Sequence, residues 1–511
     1  MALQSSQEEN ESRMLSIPLE VLLHISSYLS TPEYGNLRLA CRRLEAFLFK
    51  SFAQEFFAKR QFMLTEFSLG ALVDISKSRL GHSLSHLIIS VARPPMWSPF
   101  RRAEILEDGD VNDLKQAFKY NRMNEEYISH QTLISSGQDV ELLTEALRNL
   151  PNLRIVGLRD FCSPGRYREG DSHLWNTYGA PTFFRETGSR YEHPLFFHDD
   201  QEPANYVCHV MLSILRALGK TKEVHGSLEL QAILRTCCVP NIALDIPRYV
   251  EPTVSPVLEN LRVLFLDLGP NSFSRVVVNN NGHYDNILHF RLAVFLSKTP
   301  SLEHLRLNFR ECKGDEAKGI LQWLANISGI QGTLSTKTQT LGASGMQDRF
   351  PKLPPAPEFP RLEKLDIGMV TLAPPLLLGL YKKYKSSLCK ISLHKVTFES
   401  QPQHVSTVKV NLWSKLFGQI LKLNLKLNTI HVSYIRQKYN FCAYLVEFRG
   451  PNHDSKKVKY SKEWTGDDLE RGSQEFVEEM FINWPDEEMD EDDTSDSDAW
   501  YDEMEDNDDA T

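Results

Sequence analysis

Apolar residues recur along this chain in two alternating periods. Over the first sixty residues the period is helical. Val21, Leu22, Ile25 and Leu29 fall at i, i+1, i+4 and i+8 on one predicted apolar face. Leu44, Leu48, Phe52 and Phe56 form a second stripe. Pro18, with a fixed φ and no backbone donor, suits the first turn of a helix, and Glu20 there favours the positive end of its dipole. Thr31-Pro32-Glu33 reads as a stop and a fresh start, with Thr31 the candidate N-cap. Three short helices are predicted, the second from about Pro32 to Leu39 and the third from about Arg42. Helices this few and short cannot bury all their apolar faces on each other, so a surplus face is expected to dock on another surface.

Beyond residue 64 the pattern changes to helix-then-strand units. A helical stretch at 68–78 leads to a strand at 84–89, one at 140–150 leads to 153–158, and one at 289–297 leads to 302–307. Further strands are predicted at 258–266, 359–367, 387–393 and 427–432, with helices at 376–381 and 413–420. The strands share Leu-x-x-Leu-x-Leu, starting at 153, 261, 302, 362, 388 and, with Ile and Val, 427. Alternate residues of a strand face one side, so these apolar positions can line one core. No unit buries its own apolar face; a stack of them does. Tyr439–Glu447 and Lys456–Tyr460 read as a hairpin, Gln474–Phe481 as a last helix, and 332–358 as a mobile linker.

The N-terminal segment resembles an F-box. Ile17-Pro18-x-Glu20-x-Leu22-x-x-Ile25-x-x-Tyr28-Leu29 and Leu37-x-Leu39-Ala40-Cys41-Arg42-Arg43 follow that family's pattern. Ile17, Tyr34, Ala40 and Leu44 replace its Leu, Leu, Val and Trp, keeping the apolar character. The wording is closest to fungal F-box proteins. The resemblance implies binding to the adaptor of a cullin–RING ubiquitin ligase through Ile17, Pro18, Leu22, Ile25, Leu29, Leu37 and Leu39, and through the adaptor to cullin. Some of these side chains are open to an alternative role, packing between the helices. The body's Leu-x-x-Leu-x-Leu segments are similar to the strand of leucine-rich repeats, with an irregular period and without the usual Asn in most units. The expected fold is α/β: a three-helix F-box at 14–64 after a disordered 1–13, then a degenerate leucine-rich-repeat-like solenoid with loop insertions at 65–435. A hairpin and helix cap at 436–485 follows, then a disordered acidic tail at 486–511.

Composition adjusts this reading. Of 511 residues, 41% are hydrophobic, enough for a large core. No apolar run reaches the roughly 18 residues that span a bilayer, and the polar N-terminus lacks a signal or transit pattern. A cytoplasmic or nuclear protein is expected, with neither membrane nor nucleic acid as partner. The eight cysteines follow no regular spacing and are expected to be free thiols. Fifteen acids and no Lys or Arg follow residue 485; without them the formal net charge of −10 becomes +5. In that tail, Ser495 with Asp498 three residues on suits an acidophilic kinase.

Candidate chemistry is sparse. Residues 162–200 interrupt the body with Trp175, Tyr178, Phe183, Phe184 and Arg185 among other aromatics and arginines, a composition typical of binding hot spots. They either contribute to recognition of an unknown protein substrate or tuck over the core. Asp108–Asp113 starts like a calcium loop but has no Gly at the sixth position, and Lys119 stands where the last acid is needed. There is no Gly-rich phosphate loop and no Gly-x-Ser-x-Gly elbow. A non-enzymatic substrate receptor without cofactor is expected; an F-box scaffold acting outside a ligase is the alternative.

Overall fold

The computed structural model describes residues 17–95, 111–162, 168, 177–192, 201–222, 224–269, 290–310, 314–326, 353–399, 409–423, 425–439, 442–448, 458–466 and 480–484. Trp175, Ser495, residues 1–13 and the acidic segment 486–511 lie outside them.

The chain opens with three helices, α1 (Leu19–Ser27), α2 (Thr31–Leu39) and α3 (Arg42–Phe57). Pro18, expected within the first turn, is the N-cap of α1, with an extended ψ of 146°. The cap of α2 is Ser30 rather than Thr31: the Glu33 carboxylate accepts the Ser30 backbone N–H at 2.9 Å and its hydroxyl at 2.7 Å. A first-turn acid reaches back one turn, so the cap falls three residues before it. Leu22, Tyr34, Leu44, Leu48 and Phe56 form a small core of their own, separate from that of the body.

One residue, Ala58, separates α3 from β1 (Lys59–Met63), so the helical unit runs straight into the body. Ten strands form one sheet: β1, β2 (His86–Ser90), β3 (Ile155–Arg159), β4 (Glu229–Ile233), β5 (Val263–Leu268), β6 (His304–Phe309), β7 (Lys364–Gly368), β9 (Lys390–His394), β11 (Thr429–Ser433) and β14 (Ser461–Thr465). From β1 to β11 every neighbouring pair is parallel and the order is that of the chain; β14 closes the row antiparallel. Helices α4 (Glu66–Lys77), α6 (Gln138–Arg148), α8 (Gln201–Lys220) and α9 (Glu251–Glu259) pack each on the next. So do α11 (Gly314–Leu324), α12 (Pro374–Lys383) and α13 (Leu412–Leu421). Helices α5 (Val111–Ser136), α7 (Ala180–Thr187) and α10 (Phe290–Ser297) complete the set described.

The register explains the shared motif. Leu87, Val156, Leu230, Leu264, Leu305, Leu365, Ile391 and Ile430 lie side by side, as do Ile89, Leu158, Ala232, Leu266, Leu307, Ile367, Leu393 and Val432. All are buried, and each Leu, Ile or Val so placed contributes about 1.5–3 kcal/mol. The leading Leu of each segment (Leu153, Leu261, Leu302, Leu362, Leu388) is buried too, but in the turn before the strand. The strands therefore start two residues later than the apolar run.

A second sheet runs β15 (Met480–Ile482), β13 (Cys442–Phe448), β12 (Arg436–Tyr439), β10 (Thr397–Phe398), β8 (Thr371–Leu372). The chain crosses to it through one left-handed residue after each of three successive strands: Met369 (φ 55°), Lys395 (φ 50°) and Tyr434 (φ 51°). The N–H of each continues the ladder sideways, to His394 O, Ser433 O and Tyr460 O, which offsets the strain of φ > 0 in non-glycine residues. Two expectations change here. The hairpin is β12–β13, while 461–465 returns to the main sheet as β14, because Ile430 and Trp464 pair across that edge and Trp464 is buried. Met480 and Phe481 are strand rather than helix, since β15 completes the hydrogen bonding of β13. Of the expected linker, the described end is pinned: Trp323 Nε1–H donates to Pro354 O and the Tyr384 hydroxyl to Pro357 O.

Candidate functional sites

Helix α1 has two apolar stripes where the sequence suggested one. Leu22 and Leu29 turn inward; Leu22 is fully buried against the small core and Leu29 packs on it, as do Ile17 and Leu37. Val21, Ile25 and Tyr28 are three and four residues apart on the opposite side, and all are exposed. Pro18 and Leu19 extend this outward stripe, and Leu39 of α2 is 68% exposed. Among the residues expected to dock, Pro18, Ile25 and Leu39 thus face out, while Leu22 belongs to packing between helices. Leu19, Val21 and Tyr28 share that outward side.

Arg168, from the 162–200 segment, joins α1 and α3 of the helical unit. Its side chain is 2% exposed and meets Glu55 of α3 through two parallel contacts, Nε to Oε1 at 2.5 Å and Nη2 to Oε2 at 2.9 Å. Nη1 donates to the carbonyl of Leu29, at 3.0 Å, and to that of Ser26, at the C-terminal end of α1. The guanidinium lies 4.3 Å from the ring centroid of Tyr34. Burial pushes the Tyr34 phenol above its usual range.

The aromatics of the 162–200 segment divide between core and surface. Tyr178 stacks on Phe62 and Phe67, and its N–H donates to Gln61 O, covering the free edge of β1. Gln61 Nε2 in turn donates to Thr177 Oγ1 at 2.8 Å. Phe183 is buried and stacks on Tyr191 at 4.1 Å. Phe184 and Arg185 are exposed on α7. The segment therefore brings only Phe184 and Arg185 of the described candidates to the surface.

Another surface comes from the x positions of the strand motif. Parallel sheets are usually covered on both faces. From β4 to β11 one column of residues (Gln231, Phe265, Arg306, Asp366, Ser392, His431) remains half-exposed among the described residues. Arg306 lies over Phe265 at 5.5 Å, His304 meets that ring edge-on at 4.7 Å, and His304 Nε2–H donates to Asp366 Oδ2 at 2.7 Å. At the strand ends, Asp160 accepts the N–H groups of Arg235, Thr236 and Cys237 and the Thr236 hydroxyl. Asp267 does the same for Leu234 N–H and Asn308 Nδ2. Both acids hold residues 234–237, the loop after β4.

One buried cluster has the residue types of a hydrolase. His209 Nε2 and the Ser213 hydroxyl both meet the same oxygen of Asp139, at 2.8 and 2.7 Å. That ring nitrogen is engaged by the acid, and Ser213 is 1% exposed, so the hydroxyl is neither relayed nor accessible. Burial works to raise the Asp139 pKa, but the bonds from His209 and Ser213 outweigh it and hold the carboxyl below its usual range. Among the described residues no three His, Cys, Asp or Glu side chains are placed to hold a metal ion. No described helix is long and apolar enough to cross a membrane.

Comparison with known families decides what the first helices are. Residues 14–53 match the family described as F-box-like. The F-box-like domain thus covers α1, α2 and most of α3. Domains of this family are in general the adaptor-binding part of substrate receptors. The curated proteins contain no match to the chain.

Proposed function

We propose that this chain is the substrate-recognition subunit of an SCF-type cullin–RING ubiquitin ligase. The observation that carries the reading is the outward stripe Pro18, Val21, Ile25 and Tyr28 with Leu39, inside residues that match the F-box-like family and outside their own core. An exposed apolar patch of this kind marks an interaction surface. The body is read as a degenerate leucine-rich-repeat-like solenoid of fungal type, supported by one parallel strand per step in chain order. Its half-exposed strand face, with Phe265, His304, Arg306 and Asp366, is the proposed substrate surface, and Phe184 and Arg185 are a second contact. The protein works by proximity in the cytoplasm or nucleus; the transfer chemistry belongs to its partners. The acidic segment is read as a disordered tail.

The test is co-expression of the full chain with adaptor and cullin, compared with an Ile25→Asp/Leu39→Asp variant. The wild type is expected to bring down both partners and the variant neither, with an unchanged thermal melt. Adaptor without cullin would put the protein outside a ligase, as an F-box scaffold. Failure of the wild type to bind adaptor removes the reading.

A further inference from the structure

Three cations stand where sheet strands end or begin. Arg310 follows β6, Lys395 follows β9, and Arg436 opens β12; all are half-exposed. The backbone holds the last two side by side: Lys395 N–H donates to Ser433 O at 2.9 Å, Arg436 N–H to Val396 O at 2.8 Å, and Arg436 pairs with Thr397. Among the described residues Lys395 enters no ion pair. Burial, then Arg436 and Arg310, hold its ammonium below the usual lysine range, so the charges it feels are cations. Tyr434 stacks on Tyr460 beside it, ring centroids 6.3 Å apart, and Tyr460 is exposed. Cations at neighbouring backbone positions beside an exposed aromatic suit an anion.

We propose that residues 486–511 of this chain dock in cis on the rim formed by Arg310, Lys395 and Arg436. The segment carries fifteen acids in 26 residues and no Lys or Arg. It leaves the body at Trp484, whose ring packs against Tyr439 and Tyr444. Tyr439 is the last residue of β12 and Arg436 the first, so the exit lies about 10 Å along the strand from Arg436. Twenty-six residues are long enough to cross that gap, since even a random coil of that length spans about 28 Å root-mean-square. The local concentration of acids at the rim is then about millimolar, enough to populate a contact too weak to hold a free peptide. Docked there, the segment competes with any acidic or phosphorylated stretch that approaches this end of the strand face. The inference does not rest on the receptor reading, since rim and segment lie outside the F-box-like domain.

The test is zero-length carbodiimide cross-linking of the full chain, as an equal mixture of ¹⁴N and ¹⁵N protein, read by mass spectrometry. Lys395 is expected to join carboxyls of 486–511 within single-isotope pairs, with a yield that falls about fivefold or more in 0.5 M salt. Full-length protein with the fifteen acids changed to Asn and Gln loses that cross-link and keeps its thermal melt. Cross-links from the segment to other lysines but not to Lys395 overturn the proposal. So does a salt-insensitive yield, and mixed-isotope pairs alone assign the rim to a second copy. Adaptor capture by the same preparation is scored separately and stands or falls without affecting this outcome.

Discussion

Arg168→Ala removes one side chain that four groups of the helical unit share. Glu55 loses both contacts of its forked partner, the Ser26 and Leu29 carbonyls lose a donor, and the Tyr34 ring loses its cation. Glu55 is only 15% exposed, so its charge is not rescued by full hydration. Breaking a buried ion pair by removing one partner costs about 3–5 kcal/mol, and partial hydration of Glu55 places this case at the lower end, about 3 kcal/mol. The loss falls on the docking of α1 and α3, whose core is separate from that of the body. Hydrogen exchange followed by mass spectrometry isolates it. Amides of α1 and α3 are expected to exchange about 100-fold faster, the equivalent of that free energy. Amides of β5 to β9 are expected to stay unchanged. Arg168→Lys, which keeps the charge but not the planar fork, is expected to fall between. An acceleration under about threefold in α1 and α3, or one spread equally over the sheet, would refute the view that Arg168 holds α1 and α3 together.

Three further outcomes follow from the same geometry. Leu22→Ala is expected to cost about 2–5 kcal/mol and melt the helical unit, whereas Ile25→Ala is expected to leave the melt within about 0.5 kcal/mol and weaken adaptor capture. Pull-down paired with circular dichroism separates the two. His130 is buried beside Tyr206, and burial, with Arg93 and then His209 nearby, lowers its pKa to about 4. Its folded pKa lies below the unfolded value, so the stabilisation is complete above pH 6.5 and is lost as pH falls towards 4. The deficit at pH 5 is about 2 kcal/mol, and urea midpoints at pH 7 and 5 are expected to converge in His130→Gln. Asp160→Ala leaves three backbone N–H groups and a hydroxyl without their acceptor and is expected to cost about 3 kcal/mol in denaturant titration, with Asp160→Asn between.

Much of the fold is legible in local sequence because local periodicity is decided by local burial. The three N-terminal helices, and the helices from 66, 138, 374 and 412, lie within a few residues of where the apolar stripes and breakers put them. The strand motif marks its inward positions correctly, Val156 and Leu158 or Leu305 and Leu307, since a period of two has one meaning for a sheet with a single covered face. It misplaces the strand starts, because the leading Leu is apolar for a turn that is also buried. The outward stripe of α1 is half legible. Leu22 and Ile25 are equally apolar in sequence, and only the neighbours Tyr34, Leu44 and Leu48 decide which is sealed.

Tertiary structure alone decides the rest, wherever a residue's role depends on a partner far along the chain. Arg168 stands 113 positions from Glu55, and nothing around it in sequence marks it as the residue that joins α1 and α3. Tyr178 and Phe184 share one aromatic-rich segment, yet one closes the edge of β1 and the other faces solvent. Lys395 and Arg436 become neighbours only because a left-handed turn carries each strand into a second sheet. The acids after residue 485 are plain in the sequence; the pairing of Lys395 with Arg436 is assembled by the fold. Periodicity reports which side of an element is buried, and contact order beyond one element is invisible to it.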